Sequence, residues 1–359
     1  MLCENLAKSH DVTAISFKRM FPKIFYPGKD QYEPNPKEKV FPFKHLILID
    51  TLNPITWIQT ARLIQKEKPD RLIFQWWHWF FSPCYASIAL LVKLLGQTKN
   101  SKIAVISHHF LPPNSNALIN SVLFRCLAWL VDYYITFSLN VKKEIEKHLP
   151  IKKVFHVIEP SYGSAIENND KISSEKSRKY LGINGNILIF FGFVRPYKGL
   201  NHLILALPYV LKKINVTLII AGEFWQDKKK YLDKIKKLGL EKNIVIHDQY
   251  IPPNMVQHYF KSADAIVMPY ETCTNSAILK IAFKFTTPII ATKVGCIAEL
   301  IEDNKTGILV NPNNPEALSQ AIINFFEHNY KIKLQEGMLK SKDMFKWSEE
   351  KERIILNTT

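Results

Sequence analysis

The stretch that decides the fold is Ile187-Leu-Ile-Phe-Phe-Gly-Phe-Val-Arg-Pro-Tyr-Lys-Gly199. Its continuous apolar start, Ile187 to Phe191, predicts a buried parallel strand. A turn with two glycines and two cations follows, and then an amphipathic helix with Leu203 and Leu207 on one stripe. Glycines at such a turn let the backbone approach an anion, which the helix N-terminus and nearby cations neutralise. The stretch therefore predicts a phosphate-binding turn, without P-loop spacing or a Gly-x-Gly-x-x-Gly fingerprint.

The same turn has a plainer interpretation. Gly192 and Gly199 also fit ordinary turn positions, and Lys198 fits a solvated surface charge. Only the rest of the chain distinguishes the two interpretations.

Composition limits the classes of protein to consider. The chain has 359 residues, which suggests two domains, and its 47% hydrophobic content is that of a globular protein. No apolar run approaches the roughly 18 residues of a membrane span. The start, Met1-Leu-Cys-Glu-Asn5, lacks the basic and apolar segments of a signal peptide. Five scattered cysteines without Cys-x-x-Cys spacing predict reduced thiols and no metal site.

The charge balance is strongly basic. Forty-eight lysines and arginines against 32 acidic residues give a net charge of +16. This excess suits nucleoside diphosphates, other polyanionic ligands or an anionic membrane surface. Because no nucleic-acid-binding motif accompanies the charge, we expect no nucleic-acid partner.

Strand and helix patterns alternate along the chain, which predicts two α/β domains with largely parallel sheets. The predicted strands are Val12–Phe17, His45–Asp50, Arg71–Gln75, Lys102–Ser107, Tyr133–Phe137, Val154–Ile158, Ile187–Phe191, Val216–Ala221, Ile244–His247, Ala265–Pro269, Pro288–Thr292 and Gly307–Val310. The predicted helices lie near Thr56–Gln65, Pro83–Leu95, Ala117–Leu130 and Asn140–His148, and begin near Leu200, Lys228, Pro253, Ser276, Ile297 and Pro315.

The polar stretch Ser161 to Ser177 is predicted to be the interdomain linker, which separates a domain of residues 1–165 from one of residues 166–340. A doubly wound domain normally opens with a strand and a glycine-rich turn before its first helix. Here Met1 to Ser9 predicts a helix and the first strand follows it. We therefore expect the first domain to lack its usual first strand.

Open α/β sheets bind ligands at the carboxyl ends of their strands. In the second half, polar residues and glycines occupy those ends, and we select as candidate ligand-binding residues Gly192, Gly199, Glu223, Tyr250, Thr274, Asn275, Ser276 and Ala277. Helix capping alone explains Thr274 to Ser276 about as well as ligand binding does. A diphosphate at this helix start would also accept from free N–H groups, with Lys198 and Arg195 across the same crevice.

Two features of the first half are also candidates. His108 ends a predicted strand, where it is either a site residue or polar surface. The aromatic run Phe74-Gln-Trp-Trp-His-Trp-Phe-Phe81 is better explained as core packing than as a wall for a sugar or lipid-linked acceptor.

Five motifs follow one another along the second half of the chain: Gly192-Phe-Val-Arg-Pro-Tyr-Lys-Gly-Leu200, Ile219-Ile-Ala-Gly-Glu223, Ser262-Ala-Asp-Ala-Ile-Val-Met-Pro-Tyr270, Pro288-Ile-Ile-Ala-Thr292 and Thr306-Gly-Ile-Leu-Val310. With these motifs in this order the sequence resembles the family 4 glycosyltransferases. In the first half Ile15-Ser-Phe-Lys-Arg19, Tyr26-Pro-Gly-Lys-Asp-Gln-Tyr32, Leu52-Asn-Pro-Ile-Thr-Trp57 and Phe74-Gln-Trp-Trp-His78 are similar to one branch of the family.

The resemblance implies an α/β GT-B fold, in which two Rossmann-like domains with mostly parallel sheets face a cleft. It implies that residues 341–359, which include Trp347, form a C-terminal helix that crosses back to the first domain. The family lysine that binds the donor diphosphate matches Lys198, and Arg195 is interpreted as a substitute for the family arginine. His108 resembles the histidine that contacts the donor sugar, and Glu299 matches the glutamate of the Val-Gly-Gly-x-x-Glu segment.

The chain departs from the family pattern at several positions. Most members have two glutamates eight positions apart where this chain has Cys273 and Ile281. The related branch has Ala-Thr-Gln-Ser-Gly in its donor loop, and here the corresponding stretch is Cys273-Thr-Asn-Ser-Ala277. Lys293 and Cys296 stand where Asp and Gly are common.

The main hypothesis is a retaining, metal-independent glycosyltransferase with no cofactor. It would move a sugar from a UDP- or GDP-sugar donor to a glycan or lipid-linked acceptor in bacterial surface polysaccharide synthesis. Expected catalytic residues are His108, Arg195 and Lys198. The expected location is the cytoplasm, at the inner face of the plasma membrane if the basic surface contacts anionic lipid. One alternative is a non-catalytic or truncated GT-B paralogue that acts as a partner or scaffold. The other is a nucleic-acid binder, which only the net charge suggests.

Overall fold

The computed structural model describes residues 2–22, 41–95, 101–110, 125, 127–160, 166 and 168–358. The chain divides into two compact units. The first unit comprises residues 1–158 and 347–359, and the second comprises residues 159–346.

The described residues of the first unit contain six strands in two parallel sheets. A two-stranded sheet pairs β1 with β2, and a four-stranded sheet has the order β3-β4-β5-β6. The strands are β1 (Thr13–Arg19), β2 (Lys44–Asp50), β3 (Arg71–Trp76), β4 (Lys102–Ser107), β5 (Tyr133–Thr136) and β6 (Lys153–His156). The helices of the described residues are α1 (Leu2–Leu6), α2 (Pro54–Glu67), α3 (Ser82–Leu94), α4 (Leu139–His148) and, from the C-terminus, α13 (Glu349–Leu356).

The C-terminal helix α13 is part of the first unit because its apolar face completes a core there. Ile355 is fully buried in a cluster with Ile106 and Ile135. Its carbonyl oxygen accepts a hydrogen bond from the Tyr133 hydroxyl at 3.0 Å, and the carbonyl oxygen of Leu356 accepts one from Arg71 Nε at 2.7 Å.

The second unit is built on one six-stranded parallel sheet with the order β12-β11-β10-β7-β8-β9. Its strands are β7 (Asn186–Phe191), β8 (Val216–Ala221), β9 (Ile244–His247), β10 (Ala265–Met268), β11 (Ile289–Thr292) and β12 (Ile308–Val310). Its helices are α5 (Ser174–Leu181), α6 (Leu200–Leu211), α7 (Lys229–Lys237), α8 (Pro253–Ser262), α9 (Ala277–Phe285), α10 (Gly295–Leu300), α11 (Pro315–Glu327) and α12 (Tyr330–Ser341).

The strand order of this sheet indicates where a ligand is expected to bind. β7 lies between β8 and β10, so the chain first winds outward to β9 and then returns to wind outward on the other side to β12. Such a switch of direction leaves a gap between the loops that follow the two central strands, and doubly wound sheets bind ligands there. The relevant loops follow β7 and β10.

Apolar sequence explains why these strands form. β7 is buried from Ile187 to Phe191, and β10 is buried throughout, as expected for strands that helices cover on both faces. Leu203 and Leu207 of α6 pack in the same core as Leu188 and Leu218. Burial of each such side chain contributes about 1.5–3 kcal/mol to the free energy of unfolding.

The structure confirms all twelve predicted strands, with bounds that shift by two residues or fewer. One prediction is wrong: the linker Ser161 to Ser177 overlaps helix α5, which begins at Ser174 with Ser173 as its N-cap. This helix is polar, and its position depends on a tertiary contact between Arg178 and Asp264 that the sequence does not reveal. Residues Tyr26–Tyr32, most of the predicted helix Ala117–Leu130, and 161–165 and 167 of the linker lie outside the described residues.

The predicted helix and strand at the N-terminus are also confirmed, since α1 precedes β1. The interpretation of the aromatic run as core holds for Phe74, Trp76 and Phe81, which are all buried. None of the helices in the described part of the chain has the length and apolar character that crossing a bilayer requires.

Two glycines allow loops at the carboxyl edge of the second sheet to touch. At Gly199 φ is +67°, and an added Cβ would overlap the carbonyl oxygen of Pro269, just after β10. At Gly295 φ is +43°, and an added Cβ would overlap the carbonyl oxygen of Cys273. The turn after β7 and the start of α10 are thus both packed directly on the backbone of the β10–α9 loop.

Replacing Gly199 with alanine should therefore destabilise the second unit by more than backbone strain alone. Gly182 is the matched control, because it has the same φ of +67° but no atom within 4 Å of an added Cβ. We expect Gly182→Ala to lower the free energy of unfolding by about 1 kcal/mol, and Gly199→Ala by at least about 2 kcal/mol more. Urea denaturation followed by circular dichroism measures both, and equal losses would contradict the close contact.

Candidate functional site

The candidate site is built around the turn that follows β7. Gly192 ends this strand with φ of +91°, and a Cβ placed on it would lie 2.8 Å from Lys198 Nζ and 3.3 Å from Ile278 Cδ1. Ile278 belongs to the first turn of α9. The ammonium group of Lys198 and the start of α9 therefore meet at the carboxyl end of β7, beside the switch point of the sheet.

Backbone and side-chain contacts hold this turn in place. Residues Pro196–Lys198 form one turn of 3₁₀ helix that ends at Gly199. The Glu271 N–H donates to the carbonyl oxygen of Tyr197 at 2.7 Å, and the Glu271 carboxylate lies 3.1 Å from His202 Nε2 on α6. The turn after β7 and the start of α6 are thus each fixed to the loop after β10 by one of these contacts, in addition to the Gly199 contact.

Lys198 is a charged residue that the fold buries almost completely. It is 7% exposed, and burial lowers the pKa of its ammonium to about 7, with a further lowering from the Arg195 guanidinium. Its Nζ lies 5.9 Å from the centre of the Tyr270 ring. Within the described residues no carboxylate pairs with it. A desolvated cation of this kind favours a site for an anionic group from solution.

The N-terminus of α9 supplies the second half of the site. Ser276 is its N-cap, and the Ser276 hydroxyl accepts a hydrogen bond from Leu279 N at 3.2 Å. In the part of the chain that the structure describes, the N–H groups of Ala277 and Ile278 have no hydrogen-bond acceptor. Such free N–H groups and the helix dipole stabilise an anion at this end.

Arg195 lies in the same turn, but its guanidinium is held by an aromatic side chain. Its Cζ lies 4.2 Å from the centre of the Trp225 ring, and Phe193 stacks on that ring at 4.3 Å. Trp225 belongs to the loop after β8. Arg195 contributes positive charge to the site while its position depends on this stack.

The other predicted site residues of the second unit lie at the same edge of the sheet. Glu223 follows β8, and its carbonyl oxygen accepts a hydrogen bond from Val194 N at 2.9 Å. Tyr250 follows β9 and is exposed, and Thr274 is half-buried in the loop after β10. Glu299 lies on α10, where its charge contributes to raising the pKa of the Cys296 thiol.

Asn275 makes a contact that sequence reasoning missed. Its side-chain Nδ2 donates to the carboxylate of Glu159 at 2.8 Å, and the same carboxylate forms a buried ion pair with Lys280 on α9. No local pattern marks Glu159, because it lies 116 residues before Asn275 in the sequence.

Cysteine replaces the expected residue types on two neighbouring elements, and these cysteines meet. Cys273 Sγ and Cys296 Sγ are 2.9 Å apart, both thiols are buried, and Cys296 N donates to the carbonyl oxygen of Cys273 at 3.0 Å. Hydrogen bonding to Cys273 and burial raise the pKa of Cys296 well above its usual value. Ile281 is also buried. Because position 273 is a cysteine and position 281 an isoleucine, neither provides a carboxylate.

His108 lies in the first unit, directly after β4. Its Nε2 is 3.0 Å from Gln75 Oε1, and its ring packs edge-on against Phe137 at 5.3 Å between centres. These contacts fix the orientation of the imidazole at the carboxyl end of the four-stranded sheet. Across the described residues of both units, no three His, Cys, Asp or Glu side chains come together as metal ligands.

Comparisons with known proteins agree with this geometry. Residues 173–341 match the family model of the glycosyl transferases group 1. An uncharacterized glycosyltransferase of Methanocaldococcus jannaschii is 26% identical over 52% of this chain and 49% of its own length. The D-inositol 3-phosphate glycosyltransferase of Corynebacterium glutamicum is 26% identical over 62% of this chain and 56% of its own length. The chain thus spans about half the length of these curated relatives.

Solved structures extend the likeness to both units. The Anabaena protein HepE, crystallised in complex with UDP, matches with a TM-score of 0.69 and 16% identity over 89% of this chain and 86% of its own. Sucrose-phosphate synthase from Thermosynechococcus elongatus matches with a TM-score of 0.72 and 15% identity over 99% of this chain and 89% of its own. At these identities the likeness establishes the fold. Residues 173–341 thus match the glycosyl transferases group 1 family, and the chain has the GT-B fold.

Proposed function

We propose that this protein is a metal-independent, retaining glycosyltransferase that uses a UDP- or GDP-sugar donor. The observation that carries the proposal is the buried Lys198 ammonium, which has no carboxylate partner among the described residues and lies beside the start of α9. A donor diphosphate would supply the missing negative charge to both groups. Lys198, Arg195 and the α9 N-terminus provide positive charge from the protein itself, which is why we expect no metal or cofactor.

In the proposed reaction the bond between the anomeric carbon and the diphosphate oxygen breaks, and a bond from that carbon to an acceptor hydroxyl oxygen forms. The proton of the acceptor hydroxyl passes to the leaving diphosphate. Negative charge then develops on the leaving diphosphate. The Lys198 ammonium and the N–H groups of Ala277 and Ile278 would stabilise that charge in an already desolvated site, where such interactions are strongest. We assign Gly192, Gly199, Glu223, Tyr250, Thr274, Ser276 and Glu299 to the donor side of the site, and His108 to contact with the donor sugar.

The named relatives support a nucleotide-sugar donor. HepE was crystallised with UDP and also with UDP-glucose, which makes a uridine donor the first to test. We propose a glycan or lipid-linked acceptor in bacterial surface polysaccharide synthesis. The net charge of +16 supports work in the cytoplasm at an anionic membrane surface, where such acceptors are held.

A specific observation favours a second candidate, a non-catalytic GT-B protein that binds a partner. Cys273 and Ile281 are buried and uncharged at the positions where most family 4 members have glutamates. Such a protein would retain its nucleotide site and lack turnover. Binding and turnover therefore have to be measured separately.

The first prediction concerns binding. Isothermal titration should show that the protein binds UDP or GDP, and that Lys198→Met weakens binding roughly ten- to a hundredfold, because a charge-assisted contact is lost. Lys236→Met is the control, since it removes the same charge from an exposed position near the far end of α7. Equal affinities of the wild type and the Lys198 variant would refute the assigned role.

The second prediction concerns turnover. The wild type should release UDP or GDP from its sugar nucleotide when a panel of glycans and lipid-linked saccharides is added, and EDTA should leave the rate unchanged. Lys198→Met should lower the rate at least about a hundredfold. Tight binding without release of nucleotide from any donor and acceptor would favour the non-catalytic candidate.

The third prediction concerns stability and pH. Because folding lowers the pKa of Lys198 from its ordinary value of 10.5 to about 7, the unfolded chain binds a proton that the folded protein has lost between these values. The resulting destabilisation is complete below pH 7 and disappears as the pH rises through 10.5. Lys198→Met should thus raise the free energy of unfolding by roughly 1–3 kcal/mol at pH 6.

Urea denaturation at pH 6, 8 and 10 measures this difference. It should shrink as the pH rises, and Lys236→Met should show no such trend. A Lys198 variant that is less stable than the wild type at pH 6 would contradict the placement of an unpaired, desolvated ammonium in the site.

A further inference from the structure

A buried carboxylate lies behind the donor loop. Glu159 stands near the start of the second unit, three residues after β6, and is 7% exposed. Its Oε2 accepts a hydrogen bond from Asn275 Nδ2 at 2.8 Å and also pairs with Lys280 Nζ. Both partners belong to the loop and helix that follow β10, so one remote carboxylate contacts this segment at two positions.

The ion pair provides a negative charge for a second buried cation, Lys280. The Lys280 side chain is 1% exposed on α9, four residues after the N-cap. Without Glu159 its ammonium would be buried unpaired, which is strongly unfavourable. Glu159 gives Lys280 a partner of opposite charge, while burial still lowers the pKa of Lys280 to about 7. Lys198 is the buried cation of the site that lacks a carboxylate partner among the described residues.

The hydrogen bond to Asn275 holds the part of the backbone that leads into the start of α9, where the donor diphosphate is proposed to bind. Asn275 directly precedes Ser276, the N-cap of α9, and the free N–H groups of Ala277 and Ile278 follow at once. Because the Asn275 side chain is hydrogen-bonded to a buried carboxylate, rotation of the loop backbone would break this contact. The N–H groups that would bind the diphosphate are therefore held in one direction before the ligand arrives.

We propose that Glu159 is a positioning residue of the donor site, which orients the loop Thr274–Ser276 through its hydrogen bond to Asn275. This inference rests on the proposed function of the site, and it also changes the role of Asn275. The side-chain Nδ2 of Asn275 binds Glu159, so Asn275 serves the donor through its backbone position.

The test compares two variants that both remove the buried charges. Glu159→Leu/Lys280→Met replaces the ion pair with apolar groups and also removes the acceptor for Asn275. Glu159→Gln/Lys280→Met removes the charges and keeps an amide oxygen for Asn275. Because a buried ion pair is often replaced by apolar groups without loss of stability, we expect melting temperatures close to that of the wild type.

Titration with UDP and GDP then distinguishes positioning from simple stabilisation. We expect about tenfold weaker binding of the preferred nucleotide by Glu159→Leu/Lys280→Met, the effect of one lost hydrogen bond, and wild-type affinity in Glu159→Gln/Lys280→Met. Equal affinities of the two double variants would overturn the inference. If the leucine variant does not fold, Asn275→Leu gives the same test with the ion pair intact, and wild-type binding by that variant would overturn it too.

The same titrations separate this inference from the proposed function. A wild type that binds neither nucleotide overturns both. Binding that Lys198→Met weakens and Glu159→Leu/Lys280→Met leaves unchanged overturns the role of Glu159 alone.

Discussion

The proposed donor site depends on one unfavourable placement, the burial of the Lys198 ammonium at the carboxyl end of β7. The pKa near 7 reflects how poorly water reaches this group. Close packing of the Gly199 turn on Pro269, and of Tyr197 on Glu271, keeps the lysine in this position. Because the fold keeps the Lys198 ammonium out of water, an anion that binds there gains more interaction free energy than it would from a hydrated lysine. This gain is the basis of the proposed donor site.

The other groups of the site lie around the Lys198 ammonium. The N-terminus of α9 adds free N–H groups, and Arg195 adds charge while it stacks on Trp225. Behind them the buried Lys280 of α9 forms an ion pair with Glu159. Two cations and a helix N-terminus, which can together bind an anion, thus lie at the carboxyl edge of the sheet where its strand order reverses.

Much of the fold was predictable from the sequence, because buried parallel strands have continuous apolar sequences and several of them are followed by turns that contain glycine. The positions of Lys198 and Ser276 were likewise predictable, since both lie within such strand-to-helix turns. Glu159 was not, because its partners are more than 110 residues away and nothing local distinguishes it from a surface glutamate. Helix α5 was missed for a related reason: it is polar, and it is fixed by the contact of Arg178 with Asp264.

A crystal structure of the protein with UDP or GDP would show directly whether Lys198 binds the diphosphate. We expect a diphosphate oxygen about 2.7–3.2 Å from Lys198 Nζ, and another at similar distance from the N–H of Ala277 or Ile278. We also expect Asn275 to keep its hydrogen bond to Glu159 in the complex. A nucleotide bound with its diphosphate away from Lys198, or a Lys198 side chain that pairs with a protein carboxylate in the complex, would contradict the proposed donor site.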